Sequence, residues 1–336
     1  MCEFDINIKE IKLRVYCEKY KKELIKALMT GHSYISEPVG IPTFNLVMFD
    51  NYTPKNCELY TKMIDKWFDN ASCDVWINNN SKTVYMSNIE ASNEKWRNLL
   101  IQYFTCNLFN RLLEEIGYIS FHSSCVEIDN KGVAFIAPRN YGKTNCMLNM
   151  MNAGFNSVTN DKIAIQFDGE KFNAYGVAQN VSIRLSKNFR MQAQNKKYIP
   201  YAIKQNVELN DNSLLEGNNI HLGSVELANL NNVNQVPTTT LKHIIFPNYD
   251  SNTSDAVFSK LTFDEITYLL ESQKLPLVHD TTSFFKYVNS GNQPTYDEIT
   301  TITKLKEMES YKVIQGENSR DDFVYKIKKL VRSGSV

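Results

Sequence analysis

Residues 133–154, VAFIAPRNYGKTNCMLNMMNAG, constrain the fold of this chain more than any other stretch. VAFIA (133–137) is a short, continuous apolar run of the kind a strand shows when both its faces are buried. KTNCMLNMMNAG (143–154) has the length and composition of a helix and ends on a glycine. Only PRNYG separates the two, so the chain must leave a buried strand, turn within a few residues and start a helix. Ahead of this unit, FHSSCVEI (121–128) reads as a strand and DNKG (129–132) as the tight turn of a hairpin. Behind it, FNSVTND (155–161) and KIAIQF (162–167) read as further strands, with DGEK as the next turn. This strand–loop–helix–strand spine, inside a sheet that also carries hairpins, predicts an α/β class with α+β elements.

Within the spine, APRNYGKT (137–144) nearly matches the phosphate-cradling pattern G-x-x-x-x-G-K-[ST], with Ala137 where the first glycine stands. Such a loop needs inward-pointing backbone N–H groups, a helix start that aims partial positive charge at the anion, and a lysine for the outer phosphates. Pro138, Arg139, Asn140, Tyr141 and Gly142 supply the loop, and Lys143, Thr144 and Asn145 open the helix. The Lys143 ammonium would face the β and γ phosphates, and the Thr144 hydroxyl would ligate Mg²⁺. Alanine is the smallest departure from glycine, costly only where φ is positive or a methyl group would clash. A helix-capping turn that happens to spell GKT is the plain alternative, and the flanking strand and helix favour the phosphate site.

Two further residues qualify by position. Asp161 ends the strand after the loop helix, and ligands of open α/β sheets sit outside the carboxyl ends of the strands. A carboxylate there binds Mg²⁺ or accepts a proton from an attacking hydroxyl; as a turn aspartate it would do neither. His122, followed by Ser123 and Ser124, lies on the strand that leads into the hairpin. On its own it reads better as a core or hydrogen-bonded histidine. His32, His221, His243 and His279 show no metal-ligand spacing.

The rest of the 336 residues organise around this centre. Alternation predicts strands at 11–16, 44–49, 74–79 and 82–88, the last two joined as a hairpin through the turn cluster at 78–82. Helices are expected at 21–29 and 58–68. Leu99, Leu100, Tyr103, Cys106, Leu108 and Leu112 fall close to a 3.6-residue period and predict a long amphipathic helix over 96–117. Residues 187–236, rich in Asn, Gln and Lys with weak periodicity, read as loops and short strands, partly mobile. Beyond them strands at 241–246 and 311–316 alternate with helices at 262–273 and 319–333, the first opened by a Thr262–Glu265 capping box. The domain boundaries this implies are an N-terminal α+β domain over 1–92, a linking helix over 93–117 and a P-loop domain over 118–336.

Composition excludes several classes. Lys and Arg number 37 and so do Asp and Glu, which leaves no excess of positive charge for nucleic acid. No run of about 18 apolar residues predicts a transmembrane helix, and the charged start MCEFDINIKEIKLR has no signal-peptide core. The seven cysteines are scattered without a C-x-x-C pair, so neither a metal site nor a disulfide framework is expected. They read as reduced thiols of a cytoplasmic protein.

The combination FHSSCVEI–DNKG–VAFIAPRNYGKT–helix–FNSVTNDKIAI resembles the HPr kinase/phosphorylase-like family. It is most like the kinase-related proteins encoded with ribosomally made peptide natural products, among them lasso-peptide tailoring kinases. Residues 118–187, about a fifth of the chain, carry the resemblance. It implies a kinase core related to phosphoenolpyruvate carboxykinase that uses ATP or GTP with Mg²⁺. The reaction implied is transfer of the terminal phosphate to a hydroxyl, commonly a serine of a peptide or protein. It gives Lys143 and Thr144 the phosphate and metal roles, Asp161 that of base and metal neighbour, and His122 a place near the phosphates. Arg184, in VSIRL, becomes a phosphate-contacting arginine, and assembly of several copies is common in the family. Three departures stand out: Ala137 replaces the loop glycine, Asn160 replaces the first of an acidic pair, and Asn145 stands where bifunctional members carry an acid. Forward transfer is therefore expected over phosphorolysis. Three functions stay open: a kinase with a peptide or protein acceptor, a kinase of a small-molecule hydroxyl, and a nucleotide-binding partner protein that has lost catalysis.

Overall fold

A computed structural model of the chain describes residues 2–8, 11–18, 34–65, 69–177, 181–185, 193–205, 219–250, 253–275, 287–289, 291, 297–316 and 318–334. The helix expected at 21–29 lies outside them.

The first ninety residues build a seven-stranded sheet in the order β3-β1-β2-β4-β7-β6-β5. Its strands are β1 (Cys2–Ile8), β2 (Ile11–Cys17), β3 (Tyr34–Ser36), β4 (Phe44–Met48), β5 (Leu59–Asp65), β6 (Ala71–Asn78) and β7 (Thr83–Glu90). β2 and β4 alternate strictly between buried and half-buried residues, the pattern of a sheet with one core face. β5 overturns the helix expected at 58–68. Met63 is buried while Tyr60, Lys62 and Ile64 are exposed, a period of two that fits an edge strand, and the full register against β6 overrides helix propensity.

Helix α1 (Glu94–Glu115) follows, capped by the Asn93 side chain, which accepts from the Trp96 N–H. Leu100, Phe104, Leu108, Phe109 and Leu112 bury one face of it in a single core with the N-terminal sheet. Ala164, Tyr175 and Val177 of the central sheet join that same core.

The central sheet runs β10-β8-β11-β12-β15-β17-β16, with β9 paired to both β15 and β8. Its strands are β8 (Ile119–Ile128), β9 (Lys131–Ile136), β10 (Asn156–Thr159), β11 (Lys162–Phe167), β12 (Phe172–Val177), β15 (Thr238–Tyr249), β16 (Val257–Lys260) and β17 (Ser310–Gln315). The β8–β9 hairpin turns through Asp129 and Asn130, both at positive φ, the geometry expected of a two-residue turn. Parallel β9–β15 and β15–β17 pairs mix with antiparallel ones, so the class is mixed α/β as expected. Both faces are covered. Ile266 and Leu270 of α5 (Phe263–Gln273) and Leu305 of α6 (Glu298–Glu307) pack beneath Phe121, Ile136 and Ile163. On the opposite face α2 (Lys143–Asn152) and α7 (Arg320–Ser333) cover Val126, Val133 and Phe135. The Thr262–Glu265 capping box opens α5 as the sequence indicates.

Residues 187–236 are more structured than expected in their described part. They hold a 3₁₀ segment (Ala193–Tyr198), α3 (Ile199–Lys204) and α4 (Ser224–Leu230). Strand β14 (Asn219–Leu222) pairs with β13 (Val181–Arg184) as a separate two-stranded ribbon. Val181, Ile183, Ile220 and Leu222 sink into the α2 core; four apolar anchors at alternate positions fix the ribbon where periodicity over fifty residues is too diluted to show it.

Candidate phosphate-binding site

Alternate residues of β8 show where the site must lie. The Ser120 hydroxyl donates to Asn110 Oδ1 on α1 (2.6 Å), and the Ser124 hydroxyl donates to the Lys143 carbonyl at the start of α2 (2.7 Å). His122 stands between them on the same face, in the gap that the two helices leave uncovered. A cleft of about 340 Å³ opens there, lined by His122, Arg139, Asn140, Gly142, Lys143, Thr144, Asn145, Leu148, Asn160, Asp161, Ser182, Ile183, Arg184 and Asn219. Its volume lies within the range of small-ligand pockets.

The loop is built as a phosphate cradle requires. Ala137 is 2% exposed and is not among the residues with positive φ, so the backbone there asks for no glycine. Asn140 and Gly142 do take left-handed conformations, φ 71 and 92. Asn is the residue that tolerates this best after glycine, a signal in APRNYGKT that escapes a reading focused on the first position. Lys143 Nζ donates to the carbonyl oxygens of Ala137 and Pro138, each at 2.8 Å. An ammonium has three donors, so the lysine ties both ends of the loop and keeps one N–H for a ligand. Burial pulls the Lys143 ammonium down to about 8, against the raising influence of Asp161 and Cys146.

Asp161 reaches this loop through an irregularity. β10 pairs with the far half of β8 and β11 with the near half, and the register shifts between Ser157 and Thr159. The chain crosses between the two pairings at Asn160 and Asp161, pinned by the Ser123 N–H to the Asp161 carbonyl (3.0 Å). Bulges of this kind re-aim side chains beside active sites. Asp161 Oδ1 lies 3.1 Å from His122 Nε2, with the two side chains 36% and 26% exposed. Burial alone would raise the Asp161 carboxyl. The His122 hydrogen bond and the charges of His122, Lys162 and Lys143 hold it below the ordinary value instead, so it is ionised at neutral pH.

Nine of the residues singled out from the sequence thus share one cleft: His122, Arg139, Asn140, Gly142, Lys143, Thr144, Asn145, Asp161 and Arg184. Tyr141 points away, 44% exposed at the loop tip, and Pro138 takes part through its carbonyl. Ser182 and Asn219 are additions, delivered by the β13–β14 ribbon. Lys162 is another. It is 6% exposed, its Nζ donates to Asn107 Oδ1 at 2.8 Å and lies 5.5 Å from the Tyr103 ring centre. The Tyr103–Asn107 spacing of four on α1 was its only trace in the sequence.

The Thr144 hydroxyl and the Asp161 carboxylate line the same cleft. One carboxylate with one hydroxyl fits Mg²⁺, which takes few protein ligands and fills its shell with phosphate oxygens and water. Among the described residues no three His, Cys, Asp or Glu side chains gather into a metal site of their own. Cys17, Cys73, Cys106, Cys125 and Cys146 are buried free thiols, and among the described residues no helix is long and apolar enough to cross a membrane.

No family model matches the chain, and no curated protein matches it. Among solved structures it is similar to the HPr(Ser) kinase/phosphatase from Coxiella burnetii, at 13% identity over 64% of this chain and 95% of that one, with a TM-score of 0.30. An overlap that loose carries no argument about the site, which rests on its own geometry.

Proposed function

We propose that the chain is a nucleotide-dependent phosphotransferase that moves the γ-phosphate of ATP, or GTP, to a serine-type hydroxyl. The single observation that carries this is the juxtaposition at the start of α2. A lysine-tied loop with left-handed residues at Asn140 and Gly142 faces, across one cleft, an ionised carboxylate held by a histidine. The resemblance of residues 118–187 to HPr kinase-like proteins adds the reaction class, and the peptide natural-product kinases within it favour a peptide or protein acceptor. Homo-oligomeric assembly belongs to the same reading.

Each residue has a task. The loop N–H groups and the third Lys143 donor hold the phosphates, while Arg139 and Arg184 bring positive charge to the γ oxygens. Mg²⁺ bound by Thr144 and Asp161 would neutralise charge between the β and γ phosphates. Asp161 accepts a hydrogen bond from the acceptor hydroxyl and sets it in line with the γ phosphorus. A carboxylate this acidic is a weak base, which suffices here: phosphoryl transfer runs through a loose transition state and the hydroxyl proton leaves late. His122 fixes the Asp161 rotamer and shares its charge. Balance is simple: the bond from γ phosphorus to the bridging oxygen breaks, the bond to the acceptor oxygen forms, and the proton passes to Asp161.

Titration calorimetry with Mg-ATP, followed by γ-³²P transfer to a mixture of serine peptides, tests this. Binding and transfer are expected; absence of Mg-nucleotide binding refutes the reading. A partner protein without catalysis would bind nucleotide and transfer nothing. The loss of one carboxylate at Asn160 is the observation in its favour.

A further inference from the structure

The β13–β14 ribbon has two edges, and among the described residues only one is closed. Gln205 closes the outer edge of β14: its Oε1 accepts from the His221 N–H (2.9 Å) and its Nε2 donates to the His221 carbonyl (2.8 Å). The amide side chain thereby stands in for a neighbouring strand. It also fixes the phase of the ribbon, because the His221 main-chain groups point away from β13. In an antiparallel pair such residues alternate with hydrogen-bonded ones. His221 faces Ser182, and Asn219 faces Arg184. The Ser182 and Arg184 N–H and C=O groups therefore point outward from β13, while Val181 and Ile183 bond to β14.

That outward edge belongs to the cleft. Ser182, Ile183 and Arg184 line it consecutively. Ser182 and Arg184, whose main-chain groups point outward, are exposed there, whereas Ile183 between them is buried. Among the described residues β13 pairs with β14 alone.

We infer that the edge of β13 is the acceptor-binding element, and that the acceptor is an extended peptide segment whose main chain pairs with Ser182 and Arg184 as an added strand. Main-chain pairing of this kind supplies affinity without demanding a particular side chain. It would carry the serine of that segment along the cleft wall toward Asp161. This rests on the phosphotransferase reading and narrows its acceptor to a polypeptide, against a free amino acid or a polyol.

The test follows γ-³²P from Mg-ATP to a mixture of serine hexapeptides, to free L-serine and to glycerol, in wild type, Ser182→Pro and Ser182→Ala. Proline deletes only an outward N–H and is tolerated at a strand edge, so the ribbon ladder stays intact. We expect peptide transfer to exceed that to serine and glycerol. Ser182→Pro should lower peptide kcat/KM about tenfold, the worth of one hydrogen bond, with the Kd of Mg-ATP unchanged, and by more than Ser182→Ala does, since alanine keeps the main-chain N–H. On wild type, N-methylation of alternate peptide amides should cost a similar factor, and methylation of the intervening ones should not; this arm holds even if Ser182→Pro fails to fold. Equal transfer to serine or glycerol, or indifference to both proline and methylation, overturns the inference and leaves the phosphotransferase standing. Nucleotide binding without transfer to any acceptor overturns both.

Discussion

The two large sheets of this molecule obey different burial rules, and only one of them produces a site. In the N-terminal sheet β2 and β4 alternate, with Ile11, Leu13, Val15 and Cys17 of β2 inward and the residues between them half-exposed, while β6 is buried over most of its length. The central sheet is covered twice, and β8 and β9 are buried almost throughout. A sheet with one open face has no enclosed place for chemistry. A sheet closed on both faces has one wherever two covering helices fail to meet, and here that is over His122, between α1 and α2. Low-dielectric walls there make each charge count for more than on the open sheet.

The largest expected effect breaks this contrast if it fails. Lys143→Ala and Asp161→Ala should each lower phosphoryl transfer by about 10²–10³-fold or more, and Lys143→Ala should also weaken Mg-ATP binding in calorimetry. Tyr60→Ala on the open sheet, where the residue is 59% exposed, should leave nucleotide affinity unchanged, since such surface positions stay within about 0.5 kcal/mol. An Asp161→Ala enzyme with wild-type turnover would remove the carboxylate from the mechanism.

Next in size is a packing test. A Cβ on Gly176 of β12 would stand 2.3 Å from the Val158 carbonyl oxygen and 3.1 Å from Thr159 Cβ. Those contacts are with the strand that leads into Asn160 and Asp161, and backbone cannot step aside as a long side chain can. Gly176→Ala should cost about 1–3 kcal/mol, a fall in Tm of several degrees by calorimetry. It should reduce transfer more than Mg-ATP affinity, because the disturbed element carries Asp161 and not the loop.

The same contrast explains what the sequence disclosed. Local patterns held: the hairpin through Asp129 and Asn130, the loop before Lys143, the Thr262 cap and the α1 stripe are all written within one element. Long-range pairings were hidden. Residues 58–68 have helix-compatible composition, and Leu59–Asp65 form an edge strand only through their partner β6. Arg184 comes to the phosphates only through the family resemblance; no periodicity near Ser182 or Asn219 foretells that a ribbon anchored by Ile183 and Ile220 will wall the cleft. Asp161 was legible because a strand end after a loop helix is a topological position; its His122 partner was legible only in combination. Lys162 was overlooked because a charged residue opening a strand looks like a solvated one until α1 buries it.

A smaller effect follows from the depressed Lys143 ammonium. Burial brings it to about 8, so the empty site begins to lose this charge as pH rises through that value, whereas a bound polyanion favours the protonated form. Mg-ATP affinity should be flat from pH 6.5 to 7.5 and decline toward pH 9. Above pH 8 binding should take up a proton, visible as a dependence of the calorimetric heat on the ionisation enthalpy of the buffer. An affinity that holds level to pH 9 would mean that the ammonium is better solvated than its burial indicates.

The smallest effect concerns α1, the one helix shared by both sheets. Glu114 is half-buried, and its carboxylate is the enclosed part. Its Oε1 accepts from Asn110 Nδ2 (2.9 Å), and its Oε2 is buried without a hydrogen-bond partner. Burial pushes the carboxyl up to about 8, with Arg111 and Lys162 only partly opposing it. A raised folded-state value means that the folded chain holds this proton more tightly than the unfolded one. The associated stability is full below about pH 4.5 and is lost as pH climbs to about 8. Glutamine keeps the shape and the Asn110 bond and never ionises. Glu114→Gln should therefore match wild type in Tm near pH 4 and exceed it increasingly toward pH 8, by on the order of 1–3 kcal/mol. Transfer at pH 7 should hardly change, since Glu114 does not line the cleft. If the two melting curves stay parallel from pH 4 to 8, the α1 junction tolerates a charge, and the dryness that separates the central sheet from the open one does not extend beneath that helix.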